Sequence, residues 1–189
     1  MTPGAPAETR YTAERYFALA DDGVLRPDDR VELLEGVIVA MSPQNPPHAS
    51  GVCRTYEALR DALAGRAVVR VQLPLILGAW SVPEPDVAVV AGRPADYDAA
   101  HPTTALLVVE VADTSLPVDR LTKAAIYAAG GVPEYWIIDL RDDLVEVLRT
   151  PDPAMRAYRE REVVARGGRL AVPSFADTSV RVDDLLPGR

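Results

Sequence analysis

Residues 110–127 read EVADTSLPVDRLTKAAIY and contain Lys123, the only lysine among the 20 basic side chains of the chain. A lysine ammonium is a compact point charge that can hold an attacking water or neutralise charge developing on a phosphorane. Arginine's planar fork does not substitute for it. On a helix, Asp119 would lie one turn before Lys123 and Tyr127 one turn after it. The alternative interpretation is an ordinary exposed ion pair with Asp119, which would contribute only about 0.3–0.5 kcal/mol.

Two carboxylates in strand-like segments are candidates to bind a cation. Glu110 lies inside the apolar run LLVVEVA, and Asp86 follows a proline at the start of PDVAVVA. A buried carboxylate is costly unless it is paired or binds a cation. In an antiparallel pairing, the register that aligns residue 91 with 105 also aligns Asp86 with Glu110, at roughly 5 Å between Cβ atoms. That proximity predicts a hard-oxygen site for Mg²⁺ or Mn²⁺.

Simpler interpretations of these two acids stay open. Asp86 follows Pro85 and could be a turn residue, and Glu110 could form a buried ion pair with an arginine.

Two further acids and a histidine lie towards the N-terminus. Glu32 and Glu35 belong to RVELLEGVIVAM, which predicts a hairpin with its turn at Glu35 and Gly36. We therefore assign Glu35 a structural role and Glu32 to the candidate site. His48 stands at the start of a predicted helix, where it either orders its loop or contacts a substrate or phosphate.

The composition restricts the class of protein. A length of 189 residues favours one domain, and we expect a disordered leader over residues 1–10 and a single domain over 11–189. The net charge of −8 speaks against indiscriminate nucleic-acid binding without excluding a nucleic-acid enzyme. No apolar run approaches the ~20 residues that cross a bilayer. A single cysteine, Cys53, excludes an internal disulfide and predicts a small core residue. We expect a cytosolic (cytoplasmic) protein without membrane contact.

The hydrophobic pattern predicts an α/β architecture with a mixed central sheet flanked by helices. The order strand, helix, strand over 105–112, 116–129 and 133–140 implies a parallel pair with a right-handed connection. The other predicted elements are a helix over 12–22, a hairpin over 30–41, a helix over 48–65, strands over 67–77 and 85–91, and the C-terminal strands DLVEVLR, AYREREVVA and RLAVP.

The order Asp, Glu, Lys on this scaffold resembles the PD-(D/E)xK nuclease superfamily, and more specifically the Uma-two family of restriction-endonuclease-like proteins. The resemblance covers most of residues 11–150, in the family's order. The segments that carry it are RVELLEGVIVAMSP with His48 just after it, PEPDVAVV, LLVVEVADTSLPVDRLTKAAIYAAGGVPEYWIID, and the VEVLR strand that follows.

The resemblance implies a restriction-endonuclease-like core and a metal-dependent endonuclease that hydrolyses DNA phosphodiester bonds. Asp86 and Glu110 would ligate Mg²⁺ or Mn²⁺ together with the backbone carbonyl of Val111. Lys123 would be the superfamily's lysine, moved from the strand to the helix. The remaining implied roles are completion of the site for Glu32, orientation of Lys123 for Asp119, and support for His48. DNA is the expected partner, and a homodimer is expected from the family.

The chain departs from the superfamily's pattern in two places. The strand lysine would stand at position 112, where this chain has Ala112, so Lys123 is essential to the interpretation. The turn ADTSLP keeps only part of the family's Ser/Thr/Pro-rich turn. An alternative function is therefore a catalytically inactive nuclease-like scaffold that acts as a binding or assembly module. A metal-dependent hydrolase of a small phosphoester is a third hypothesis.

Overall fold

The computed structural model describes residues 10–26 and 28–188. Most of the predicted leader over residues 1–10 lies outside this part of the chain. The α-helices are α1 (Ala13–Asp21), α2 (Pro46–Leu63), α3 (Leu116–Val118), α4 (Ala124–Ala129) and α5 (Val182–Leu185). The strands are β1 (Val31–Leu34), β2 (Val37–Ala40), β3 (Val68–Val71), β4 (Val87–Val90), β5 (Leu107–Ala112), β6 (Glu134–Asp139), β7 (Leu144–Asp152), β8 (Ala157–Ala165), β9 (Arg169–Val172) and β10 (Phe175–Arg181).

A six-stranded mixed sheet in the order β3-β4-β5-β6-β7-β8 forms the centre of the fold. Strands β5 and β6 are parallel, and the other neighbours are antiparallel. Apolar side chains of α2 pack on one face of the sheet, and those of α4 pack on the other. The predicted α/β architecture with a mixed, helix-flanked sheet is confirmed, as is the parallel pair joined by a helical crossover.

The register between β4 and β5 is the predicted one. Val87 pairs with Val109, Ala88 with Val108, and Val89 with Leu107. Because side chains alternate between the two faces of a strand, Asp86 and Glu110 continue this register on the face that α4 covers.

The N-terminal elements follow their sequence signals. Thr12 caps α1 by accepting a hydrogen bond from the backbone N–H of Arg15 at 3.1 Å. The turn between β1 and β2 falls at Glu35 and Gly36, which have φ values of 52° and 85°. Helix α2 begins at Pro46, earlier than predicted, since the Asn45 side chain accepts the N–H of His48 at 3.0 Å and caps it.

The strand predicted over 67–77 is shorter than expected. It ends at Val71, because Gln72 adopts a left-handed φ of 49° that breaks the extended backbone. The chain then turns, so that Leu75 and Leu77 join the apolar cluster on the α4 side.

The crossover helix predicted over 116–129 is interrupted. A π-helical turn, Asp119–Lys123, separates α3 from α4, and the N–H of Ala124 donates to the carbonyl of Asp119. Ser115 precedes the helix, and its hydroxyl donates to Asp119 Oδ2 at 2.6 Å without capping the backbone.

The prediction that Cys53 is a core residue is wrong, because its side chain is exposed on α2. It directly follows the buried Val52, and one residue turns a helix by about 100°, away from the buried stripe.

In the part of the chain that the structure describes, every helix is too short or too polar to span a bilayer.

Candidate active site

A cavity of about 330 Å³ opens between the β1–β2 hairpin, the loop that leads into α2, and the beginning of the crossover helix. All six side chains predicted for the site line this cavity: Glu32, His48, Asp86, Glu110, Asp119 and Lys123. The seventh predicted contributor, the backbone of Val111, lies next to Glu110 on β5. Glu35 lies outside the lining and pairs with Arg156, in agreement with the structural role assigned to it.

The Lys123 ammonium is the centre of the cluster. Its Nζ lies 2.9 Å from Glu110 Oε1 and 3.4 Å from Glu32 Oε1. Lys123 is 8% exposed and Glu110 3%. Burial lowers the pKa of Lys123, but the surrounding carboxylates of Glu110, Glu32 and Asp119 more than reverse this and raise it. The interpretation of Lys123 as an exposed surface pair is therefore wrong, and the partner of Glu110 is this lysine and not an arginine.

Glu110 is held by a second donor on the same helix. The Tyr127 hydroxyl, which is fully buried, donates to Glu110 Oε1 at 2.6 Å. Burial raises the pKa of Glu110 to about 8; Lys123 opposes the rise, while Asp86, Asp119 and Glu32 add to it. Burial and the neighbouring carboxylates therefore make Glu110 a weaker acid than an exposed glutamate, whereas Lys123 favours its charged form.

Asp86 has the opposite electrostatic environment. Its Oδ2 accepts the N–H of Val111 at 2.9 Å, and its Oδ1 accepts Gln72 Nε2 at 3.0 Å and lies 3.2 Å from His48 Nε2. Burial raises the pKa of Asp86, but these hydrogen bonds outweigh it and leave the pKa below its ordinary value. The hydrogen bond to Asp86 in turn raises the pKa of His48, and the backbone of Val111 adds to this rise.

Asp119 bonds to Ser115 and forms no ion pair with Lys123 among the described residues. Burial raises the pKa of Asp119 to about 6. Its negative charge still favours the protonated form of Lys123. Orientation of Lys123 by Asp119 stays a prediction. Asp119 would act on the ammonium by electrostatic attraction at a distance and not by direct contact.

Three further residues contribute to the cavity or its hydrogen bonds without having been predicted. Tyr127 had a sequence signal, because it lies one helical turn after Lys123. Glu84 lies two residues before Asp86, and its backbone N–H donates to Glu32 Oε2 at 3.2 Å. Burial raises its pKa. Gln72 had no signal, since its contact with Asp86 depends on the left-handed turn that follows β3.

The donor chemistry of the cavity fits a divalent cation. Carboxylate and carbonyl oxygens are the ligands that Mg²⁺ prefers, and it commonly uses one or two carboxylates and keeps several waters. Asp86 and Glu110 with the Val111 carbonyl meet that requirement. Within residues 10–26 and 28–188, no group of three or more His, Cys, Asp or Glu is arranged so that it could hold a metal ion by itself. The lining contains six acids, namely Glu32, Glu84, Asp86, Glu110, Asp113 and Asp119, against the two strong bases Arg30 and Lys123.

A mixed, helix-flanked sheet with acids and a lysine at one end of its central strands defines a restriction-endonuclease-like protein. The model of the Uma2 family, described as "Putative restriction endonuclease", matches residues 13–183. The chain belongs to this family, which confirms the resemblance found in the sequence.

The chain is also similar to a solved structure, that of "a putative nuclease belonging to DUF820 from Anabaena variabilis ATCC 29413". The TM-score is 0.71 at 18% sequence identity, over 92% of this chain and 96% of that chain. At this identity the similarity shows the shared fold. No curated protein matches the chain.

Tyr127→Phe should destabilise the protein by about 1–3 kcal/mol, because a buried oxygen of Glu110 loses a hydrogen-bond donor. Urea denaturation at neutral pH measures the change. The matched control is Tyr97→Phe, which removes a hydroxyl that donates to the Ala91 carbonyl at an exposed position and should change stability by less than about 0.5 kcal/mol. Equal stability of Tyr127→Phe and the unmodified protein would contradict the contact.

Proposed function

We propose that the protein is a metal-dependent endonuclease that hydrolyses DNA phosphodiester bonds at the cavity around Lys123. The observation that carries the proposal is the buried contact of 2.9 Å between Lys123 Nζ and Glu110 Oε1, with Asp86 in the same cavity. Membership of a family described as "Putative restriction endonuclease" supports it.

Asp86, Glu110 and the Val111 carbonyl would hold Mg²⁺ or Mn²⁺, which when bound supplies a Lewis acid and a water of lowered pKa. Lys123 would stabilise the negative charge that develops on the phosphoryl oxygens. Its burial strengthens that interaction, because the local dielectric is low. Glu32 holds the ammonium from a second side, at 3.4 Å, and so limits the directions in which it can point.

Two further side chains at the cavity would act on the substrate or on the site's geometry. Arg30 is exposed at the edge of the cavity, where it would meet a neighbouring phosphate of the DNA. His48 keeps Asp86 oriented through its contact of 3.2 Å.

We further propose a homodimer, for which light scattering should give twice the chain mass of 20.4 kDa. A monomer mass would contradict that assembly.

One observation favours the alternative of a catalytically inactive scaffold. Protein groups already contact both proposed metal-binding carboxylates: Lys123 and Tyr127 contact Glu110, while Gln72 and His48 contact Asp86. Such a site could be stable without a cation and serve only to hold the elements together. Metal binding by the purified protein distinguishes the two functions.

DNA cleavage with Mg²⁺ or Mn²⁺ should fall by about 10²-fold or more in Lys123→Ala and in Asp86→Asn. The first substitution removes the positive charge that would stabilise the phosphoryl oxygens, and the second removes the charge of a proposed metal ligand. The assay is conversion of supercoiled plasmid to nicked and linear forms. Asp61→Asn, an equivalent change at an exposed position on α2, should leave the rate unchanged. Cleavage that survives both site substitutions, or that survives EDTA, would rule out the proposal.

Titration of Mn²⁺ into the protein should release or absorb heat, and Glu110→Gln should abolish this signal, because the neutral amide removes one of the two carboxylate charges that would bind the cation. Isothermal calorimetry measures it directly. Glu57→Gln, on the exposed side of α2, is the control and should bind as the unmodified protein does. Absence of any heat with the unmodified protein would favour the scaffold.

A further inference from the structure

The π turn Asp119–Lys123 determines the direction in which Lys123 points. This turn contains one more residue than an α-helical turn, so the residues after it are rotated by about 100° relative to an uninterrupted helix. Asp119 and Lys123 are buried at its two ends, whereas Leu121 between them is 72% exposed. Such π turns are commonly found at functional sites. A helix that relaxed to regular α geometry would move the ammonium relative to Glu110.

Arg120 attaches the π turn to strands β6 and β7, on the face of the sheet that α4 covers. Its Nε donates to Glu146 Oε1 at 2.7 Å, and its Nη2 lies 3.5 Å from Asp139 Oδ2. Glu146 is 1% exposed, and its other oxygen accepts Arg161 Nε at 2.8 Å. Loss of a guanidinium partner would leave a buried carboxylate without compensation and would strongly destabilise the protein. Arg120 therefore fixes the π turn over β6 and β7, while Lys123 reaches β5.

Tyr135 supports the same turn from beneath. Its hydroxyl donates to the backbone carbonyl of Asp119 at 3.2 Å, and this carbonyl also accepts the N–H of Ala124 that defines the π turn. Tyr135 is fully buried on β6, and its ring centroid lies 4.9 Å from that of Tyr127. Tyr127 in turn bonds to Glu110, so a continuous set of contacts connects the turn with the site.

We infer that Arg120 and Tyr135 are positioning residues for Lys123: they hold the π turn that directs the ammonium onto Glu110. Neither residue lines the cavity, so neither would touch a substrate. The prediction for catalysis rests on the proposed nuclease function, whereas the prediction for the geometry of Lys123 stands without it. The competing explanation is that both residues only add stability.

The geometry can be tested in the full chain by NMR with lysine labelled at ¹³Cε and ¹⁵Nζ. Lys123 is the only lysine, so the label gives one side-chain signal. Tyr135→Phe and Arg120→Gln should shift this signal and speed the amide exchange of Ala124 by about fivefold or more, because a hydrogen bond at the turn is lost. Arg120→Lys should restore the signal in part, since it keeps the charge.

The chain offers matched controls for both substitutions. Tyr158→Phe removes a hydroxyl that donates to the Val132 carbonyl at 2.9 Å, beside Tyr135 but away from the π turn. Arg149→Gln removes a guanidinium that pairs with the buried Glu134 at 2.9 Å. Both controls should leave the Lys123 signal and the exchange of Ala124 unchanged. An unchanged Lys123 signal in Tyr135→Phe, or equal shifts in the test and control variants, would overturn the inference.

The catalytic consequence is a lower kcat at an unchanged KM, because a displaced ammonium stabilises the transition state less and leaves substrate binding unchanged. We expect kcat to fall by about 10-fold or more in Tyr135→Phe, with KM within about twofold of the original value. Tyr158→Phe should change neither constant. If the unmodified protein cuts no DNA, the nuclease proposal fails, and the Lys123 signal still decides the positioning role. A kcat that falls equally in Tyr135→Phe and Tyr158→Phe contradicts positioning.

Discussion

The contact of 2.9 Å between Lys123 and Glu110 is the constraint on which the arrangement of the site depends. Both side chains are buried, and removing one partner of a buried ion pair typically costs about 3–5 kcal/mol, because the other charge is left without compensation. The crossover helix therefore cannot slide along β5 without exposing or isolating a charge. The same requirement extends to Glu32, which accepts a second contact from the ammonium and ties the β1–β2 hairpin to the sheet.

The two carboxylates at the end of β4 and β5 are adjacent in register but differ in their acid–base behaviour. Asp86 is surrounded by N–H donors, and they keep its pKa low despite its burial. Glu110 has an apolar strand on each side, and its burial raises the pKa to about 8 despite the nearby lysine. Carboxylates whose pKa values are shifted in opposite directions are typical of functional sites, and structural ion pairs can also produce such shifts.

The fold and the cavity differ in how much they indicate about function. The mixed sheet and its helices are shared with a solved structure at only 18% identity, and a fold alone does not specify an activity. The features that point to an activity lie in the cavity, where acidic residues outnumber basic ones and two carboxylates contact one buried ammonium. The crossover helix contributes to two regions. Lys123 lies in the cavity, and Arg120 belongs to an ion-pair network on the neighbouring strands.

Most of the elements, their order and the β4–β5 register could be predicted from the sequence, because periodicity and turn residues are local signals and strand pairing preserves alternation. The sequence also determined that Glu110 needs a partner, since it lies in an apolar run. It did not reveal the π turn, because periodicity assumes regular helices, nor the left-handed Gln72 that reaches Asp86. Those features arise only when distant elements pack together, and the direction of Lys123 was therefore decided by the tertiary structure.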